Sequence, residues 1–366
     1  MPAGAGSGKG DVGRRVVSFA WGRGLGHVSR LIVVHRALSE LGWDSLFLVE
    51  REQRMITDYG LAQVVIPTDE HSLIGEPLFG VEGMGNPRLA RLIVHAVLSP
   101  DDVVLHDVTV QRQLYEQATR LGCRQVLIHR FQKNRPEPAA WVARHAPAIA
   151  RVFMLGELSR EDVREGIVLQ GVSDVLRQPL AEVSVWPAGM PQPRIVVTAG
   201  GGGHADAEGF LTCALEGIAR WERQEGQPAS VYAVTGPHFQ GTLTVPSGMR
   251  GSMLVTGYVG PRRSLYRETT AVVAHGGYNT VQELAFTGVP AVVVPGVRDF
   301  DDQRKHLDAA ADHLNAIVTG AAPEGIADGL TRVLRRAVRR QRRPPPRGAW
   351  EIARAIAQSP AASAAE

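Results

Sequence analysis

Short apolar runs recur along the chain, and most are followed by a stretch with apolar residues at helical spacing. Arg15-Val16-Val17-Ser18-Phe19-Ala20 opens the first series, continued by Ser45–Val49, Val64–Ile66, Val103–His106, Gln125–Ile128 and Ile149–Met154. Val28, Leu31, Ile32, His35 and Leu38 predict a helix after the first run, ended near Gly42, and the same period returns at Leu89–Leu98 and Val110–Leu121. A second series runs through Arg194–Thr198, Val231–Val234, Met253–Val255, Ala271–Ala274 and Ala291–Val294 to a helix near Gly325–Val338. Such alternation predicts an α/β protein built on doubly wound parallel sheets.

Pro187, Pro191 and Pro193 crowd one short stretch, so residues 184–193 read as a linker. The expected organisation is a disordered tail over 1–13, a first domain over 14–183 and a second over 194–345. A C-terminal helix and tail over 346–366 close the chain. Two Rossmann-like domains facing a cleft is the architecture this predicts, because ligands of such sheets sit beyond the carboxyl ends of the strands.

Composition agrees with a folded two-domain protein. The chain has 366 residues, 44% of them hydrophobic and 21% charged, with a formal net charge of +3. That charge is too small to argue for nucleic acid as a partner. Cys123 and Cys213 match no metal or redox spacing, and no apolar run approaches the ~20 residues of a membrane span. A soluble cytoplasmic protein with reduced thiols, monomeric or homodimeric, is the expectation.

The chemistry concentrates at His275-Gly276-Gly277-Tyr278-Asn279-Thr280-Val281-Gln282-Glu283, where an apolar strand turns into a helix. Backbone amides and the positive helix end can hold a phosphate there, with Glu283 one turn in for a ribose diol. Thr280-x-x-Glu283 also reads as a capping box, with the glycines only making a tight turn. Downstream, Ala291–Val294 and Pro295 lead into a polar loop, Gly296 to Gln303.

The set His275-Gly276-Gly277-x-Asn279-Thr280-x-x-Glu283 followed by Pro295 and Asp302-Gln303 resembles the donor half of GT-B glycosyltransferases. It is most similar to the family of MurG and the diacylglycerol sugar transferases. The resemblance implies a metal-independent, inverting transfer of a hexose-type sugar from a nucleotide diphosphate, most plainly UDP, to a hydroxyl acceptor, with no other cofactor. It also implies that the loop Thr198 to Asp206, with Gly201 and Gly202, meets the diphosphate. Tyr258 and Val259 would then frame the base, Asp302 and Gln303 would contact the sugar, and the Trp350–Ala357 helix would cross back onto the first domain.

Gly22-x-Gly24-x-Gly26-His27 invites comparison with a dinucleotide fingerprint, which needs a third glycine where this chain has His27. Glu50 does stand where a nicotinamide ribose partner would be, so a dehydrogenase is the competing reading. The resemblance accounts for the histidine: Gly24 and Gly26 allow close backbone approach, and His27 can take the acceptor's proton. Asp107 is the candidate to orient His27, or else an N-cap for the helix that follows.

Asp299-Phe300-Asp301 mimics the Asp-x-Asp metal site of another transferase class, but its position fits a sugar contact, so no metal is expected. The arginines between Arg332 and Arg347 form either a solvated helix face or a weak contact with an anionic membrane surface. A nucleotide-sugar hydrolase or epimerase of the same architecture is a further alternative. The acceptor, lipid-linked or a secondary metabolite, is not written in any motif.

Overall fold

The computed structural model describes residues 14–21, 25–68, 73–74, 86–130, 137–156, 161–181, 183–298, 301–335 and 346–358. The first sheet is made of β1 (Arg15–Ala20), β2 (Asp44–Val49), β3 (Ala62–Val65), β4 (Val103–Asp107), β5 (Arg124–His129), β6 (Ile149–Leu155), β7 (Glu161–Arg164) and β8 (Ile167–Val172). Its order is β3-β2-β1-β4-β5-β6-β8-β7, parallel except for the β7–β8 hairpin. After the two-residue β9 (Val183–Ser184), the second sheet is built from β10 (Arg194–Thr198), β11 (Ser230–Val234), β12 (Met253–Thr256), β14 (Ala271–His275), β15 (Ala291–Val294) and β16 (Ala316–Val318). It runs β12-β11-β10-β14-β15-β16, and β13 (Arg263–Ser264) pairs with β9 outside it.

Both sheets therefore start in the middle, run out to one side and return to the other. The reversal falls between β1 and β4 in the first and between β10 and β14 in the second. At such a switch point two adjacent loops diverge and open a crevice at the carboxyl ends of the strands. The central strands read as nearly unbroken apolar runs because helices cover both faces. Val16, Val17, Val104, Leu105, Val196, Val272 and Val273 are all fully buried.

The helices of the first domain are α1 (Leu25–Ser39), α2 (Arg54–Asp58), α3 (Pro87–Val97), α4 (Arg112–Leu121) and α5 (Pro138–His145). Those of the second are α6 (Ala207–Glu225), α7 (Tyr278–Thr287), α8 (Gln303–Ala309) and α9 (Pro323–Arg335); α10 (Gly348–Gln358) follows. α1 buries Val28, Leu31, Ile32, Val34 and Leu38, and α10 lays Ala349, Ile352, Ala353 and Ile356 into the same cluster. α10 thus packs on the first domain after the second has been built, which ties the two together.

Residues 184–193, the expected linker, pack on the second domain. Val185 and Trp186 are buried there, and Trp186 Nε1 donates to Thr269 Oγ1 at 2.9 Å. Strand β16 and the β7–β8 hairpin are elements that the apolar pattern did not announce. Val163, facing solvent, and the charged residues around it explain why β7 leaves no trace in hydropathy. The disordered tail expected over 1–13, and the tail expected after the C-terminal helix, lie outside the described residues.

Candidate functional site

The loops after β1, β4 and β5 face those after β10, β12, β14 and β15 across a cleft of about 1360 Å³. His27 stands in the first turn of α1, 20% exposed, on the wall of this cleft. Its Nδ1 lies 2.9 Å from Asp107 Oδ2 and 3.0 Å from Asp107 O. Both are acceptors, so the hydrogen-bond network assigns the proton to Nδ1 and leaves the lone pair on Nε2. Asp107 is not a helix cap, since Gln111 caps α4 by accepting from Leu114 N at 2.7 Å.

Local backbone geometry helps to aim Asp107. Val108, the next residue, has φ +62°, a left-handed conformation that a β-branched residue adopts only under constraint. Its amide donates to Ile128 O at 2.8 Å, which holds the bend in place. Burial opposes ionisation of the fully buried Asp107, but the Arg30 guanidinium and the His27 ring outweigh it and hold the carboxyl below the usual carboxylate range. Arg30, one helical turn after His27, donates Nε to Asp107 Oδ1 at 3.1 Å and Nη2 to Oδ2 at 2.8 Å. That i, i+3 spacing is visible in the sequence, but nothing local to it shows that both side chains meet Asp107.

Across the cleft, Gly277 is the N-cap of α7 with no side-chain cap. Thr280 and Glu283 therefore lie too deep in the helix to form a capping box, and both line the cleft. Glu283 Oε2 accepts from Tyr266 OH at 2.8 Å, and Arg177 Nη2 lies 3.8 Å from Oε1. Neither Tyr266 nor Arg177 stands in a motif. Asn279 spans the domains, with Nδ2 3.4 Å from Gly26 O and Oδ1 3.3 Å from Arg30 Nη1.

His275, Tyr258, Val259, Gly26 and Gly201 also line the cleft. Gly276 instead packs tightly, since a Cβ there would meet Gln303 Oε1 at 3.3 Å and Pro295 Cα at 3.4 Å. Gly202 has φ +73° and nests against the Thr235 carbonyl so closely that no side chain fits. Burial drives the His275 pKa down to about 4, Asp206 partly opposing and Arg298 adding to the fall. Gly24, Asp299 and Phe300 lie outside the described residues.

The Asp302-Gln303 pair divides. Gln303 is buried on the cleft wall, its Oε1 accepting from Gly296 N at 2.7 Å. Asp302 is turned to a different use, capping α8 by accepting from Lys305 N at 3.0 Å. Its neighbour Asp301 faces the cleft and bonds Arg130 of the first domain and His306, the latter at 2.6 Å. Asp206, the N-cap residue of α6, makes no side-chain cap bond and pairs with Arg298 at 2.7 Å.

Residues 195–358 match the family described as glycosyltransferase family 28 C-terminal domain. UDP-GlcNAc 2-epimerase from Methanocaldococcus jannaschii superposes with a TM-score of 0.59 at 12% identity, over 94% of this chain and 100% of that one. Spinosyn forosaminyltransferase SpnP gives 0.58 at 16% identity over 94% and 93%. MurG of Acinetobacter baumannii gives 0.53 at 16% over 94% and 100%. The fold is GT-B. No curated protein matches the sequence.

The GT-B fold places the two glycine turns of the second domain opposite the His27–Asp107 pair of the first, with room between them for a ligand of both. Among the described residues no group of three or more His, Cys, Asp or Glu side chains gathers as metal ligands. Nor is any described helix long and apolar enough to cross a membrane. Cys123 and Cys213 are free thiols, and burial pushes Cys123 up to about 11. Glu50, the ribose candidate of the dehydrogenase reading, pairs with Arg51 at 3.1 Å.

Proposed function

We propose that this protein is a metal-independent glycosyltransferase that moves a hexose-type sugar from a nucleoside diphosphate, UDP being the expected carrier, to a hydroxyl acceptor with inversion. The observation that carries the reading is the His27–Asp107 pair, 2.9 Å apart, set across the cleft from the turn before Tyr278. His27 Nε2 takes the acceptor's proton as the acceptor oxygen bonds to the anomeric carbon. The bond from that carbon to the phosphate oxygen breaks, and its electron pair leaves with the nucleoside diphosphate. Asp107 fixes the histidine tautomer and stabilises the imidazolium that forms.

The second domain holds the donor in this scheme. Glu283 accepts from a ribose hydroxyl, Tyr258 and Val259 flank the base, and the turns at 200–203 and 276–277 present backbone dipoles to the diphosphate. Gln303 and Asp301 reach the sugar, with Asp302 acting through the start of α8. The acceptor is a lipid-linked or small-molecule hydroxyl, and the reaction runs in the cytoplasm.

A thermal-shift panel of UDP- and dTDP-sugars tests this, since a ligand of the native state raises its melting temperature. Turnover of the stabilising donor persists in EDTA if no metal takes part; its abolition sinks the metal-independent scheme. The epimerase among the structural neighbours favours a second reading, a nucleotide-sugar epimerase or hydrolase on the same scaffold. That reading predicts an epimer or free sugar from the donor alone, without an acceptor.

A further inference from the structure

A departing diphosphate brings negative charge to the second domain, and the histidines beside the glycine turns are poorly suited to meet it. His275 packs its ring 3.9 Å from that of Phe210, and burial holds its pKa near 4. His204 is lowered as well, first by burial and then by Arg298. Both are neutral near pH 7.

Arg298 is a fixed cation at this edge. It follows β15, and its guanidinium folds back over the strand end, where a Cβ on Gly296 would meet Nη1 and Nη2 at 2.9 Å. Nη1 pairs with Asp206 Oδ2 at 2.7 Å, and Nη2 lies 3.4 Å from His275 Nδ1. The fork thus bridges the loop after β10 and the strand end before α7, the two turns between which a diphosphate would rest. The Arg298 side chain is 12% exposed while that of Asp206 is 42% exposed. Asp206 can return to water cheaply when its partner is drawn away, whereas Arg298 stays in a drier wall where its charge acts strongly.

We propose that Arg298 binds the diphosphate of the donor, and that Asp206 holds its guanidinium in place until the phosphates take it over. This rests on the nucleoside diphosphate reading above and adds the group that neutralises the leaving charge. A planar fork suits phosphate oxygens bidentately, and a preplaced cation costs no reorganisation as charge develops.

Calorimetry on the full chain, with inorganic pyrophosphate, uridine and UDP as probes, tests the assignment. Wild type binds pyrophosphate and UDP. Arg298→Ala weakens both by at least about tenfold and leaves uridine unchanged. Arg298→Lys falls between them, because it keeps the charge and loses the fork. Asp206→Asn tightens pyrophosphate by removing the competing carboxylate. Should Arg298→Ala not fold, Arg298→Gln carries the same comparison. Unchanged UDP binding in the Arg298 variant overturns the assignment while leaving the proposed function intact; equal loss of uridine overturns it too. Pyrophosphate binding that depends on Arg298, in a wild type blind to uridine and to the nucleoside part of UDP, keeps the assignment and overturns the nucleotide reading.

Discussion

Arg30 grips Asp107 with both prongs of its guanidinium, at 3.1 and 2.8 Å, and the two side chains are 2% and 0% exposed. Removing the cation would strand a buried carboxylate with only His27 beside it. Arg30→Met is therefore expected to cost about 3–5 kcal/mol in urea denaturation. Adding Asp107→Asn should recover part of that loss, because the charge then goes with its partner. A loss below about 1 kcal/mol, the range of exposed pairs, would mean that the pair is not the buried unit described here.

His27→Ala should lower turnover by about 10²–10⁴-fold, the usual contribution of a positioned base. Donor affinity should not change, since the contacts proposed for the donor lie on the other domain. Initial rates and donor titration on the same preparation separate the two effects. Full activity in this variant would remove His27 from the chemistry.

Glu283 shares its carboxylate between Tyr266 and Arg177 before any ribose arrives. Glu283→Ala should weaken UDP by roughly tenfold or more, the worth of a charge-assisted hydrogen bond. Tyr266→Phe should weaken it less, because the carboxylate remains and only its orientation is loosened. Calorimetric titration with UDP ranks the variants, and the reverse order would mean that Tyr266, not Glu283, meets the ribose.

Three buried histidines contribute to the acid limb of stability. Burial lowers His35 from 6.5 to about 3, and His106 and His275 to about 4. Their folded values lie below the unfolded one, so the unfolded chain binds more protons between pH 4 and 6.5. Stability is thus fully present above about pH 6.5 and is lost as the pH falls, at up to about 1.4 kcal/mol per pH unit for each histidine. Urea midpoints at pH 7.5, 6.0 and 5.0 should show the decline, and His35→Gln should flatten it. A midpoint that holds constant down to pH 5 would contradict the buried neutral state.

How far the chain's own text could be followed varies by residue. The bounds of β1, β10 and β15 are legible outright, because strands buried on both faces must be apolar throughout. The glycine turns are legible for a similar reason: close backbone approach, as at Gly202, demands that residue type. Asp301 and Asp302 are not separable that way. They are chemically identical neighbours, and the start of α8 alone turns one to the cleft and spends the other on a cap.

Arg30, Arg130, Arg177, Tyr266 and Arg298 mark the remaining boundary. Periodicity and composition record energies that act within a few residues, so they fix strands, helices and tight turns. The convergence of Arg130 on Asp301, or of Arg298 on Asp206, depends on strand order and on how the second domain docks against the first. Those arise from burial summed over hundreds of contacts, which no local pattern spells out.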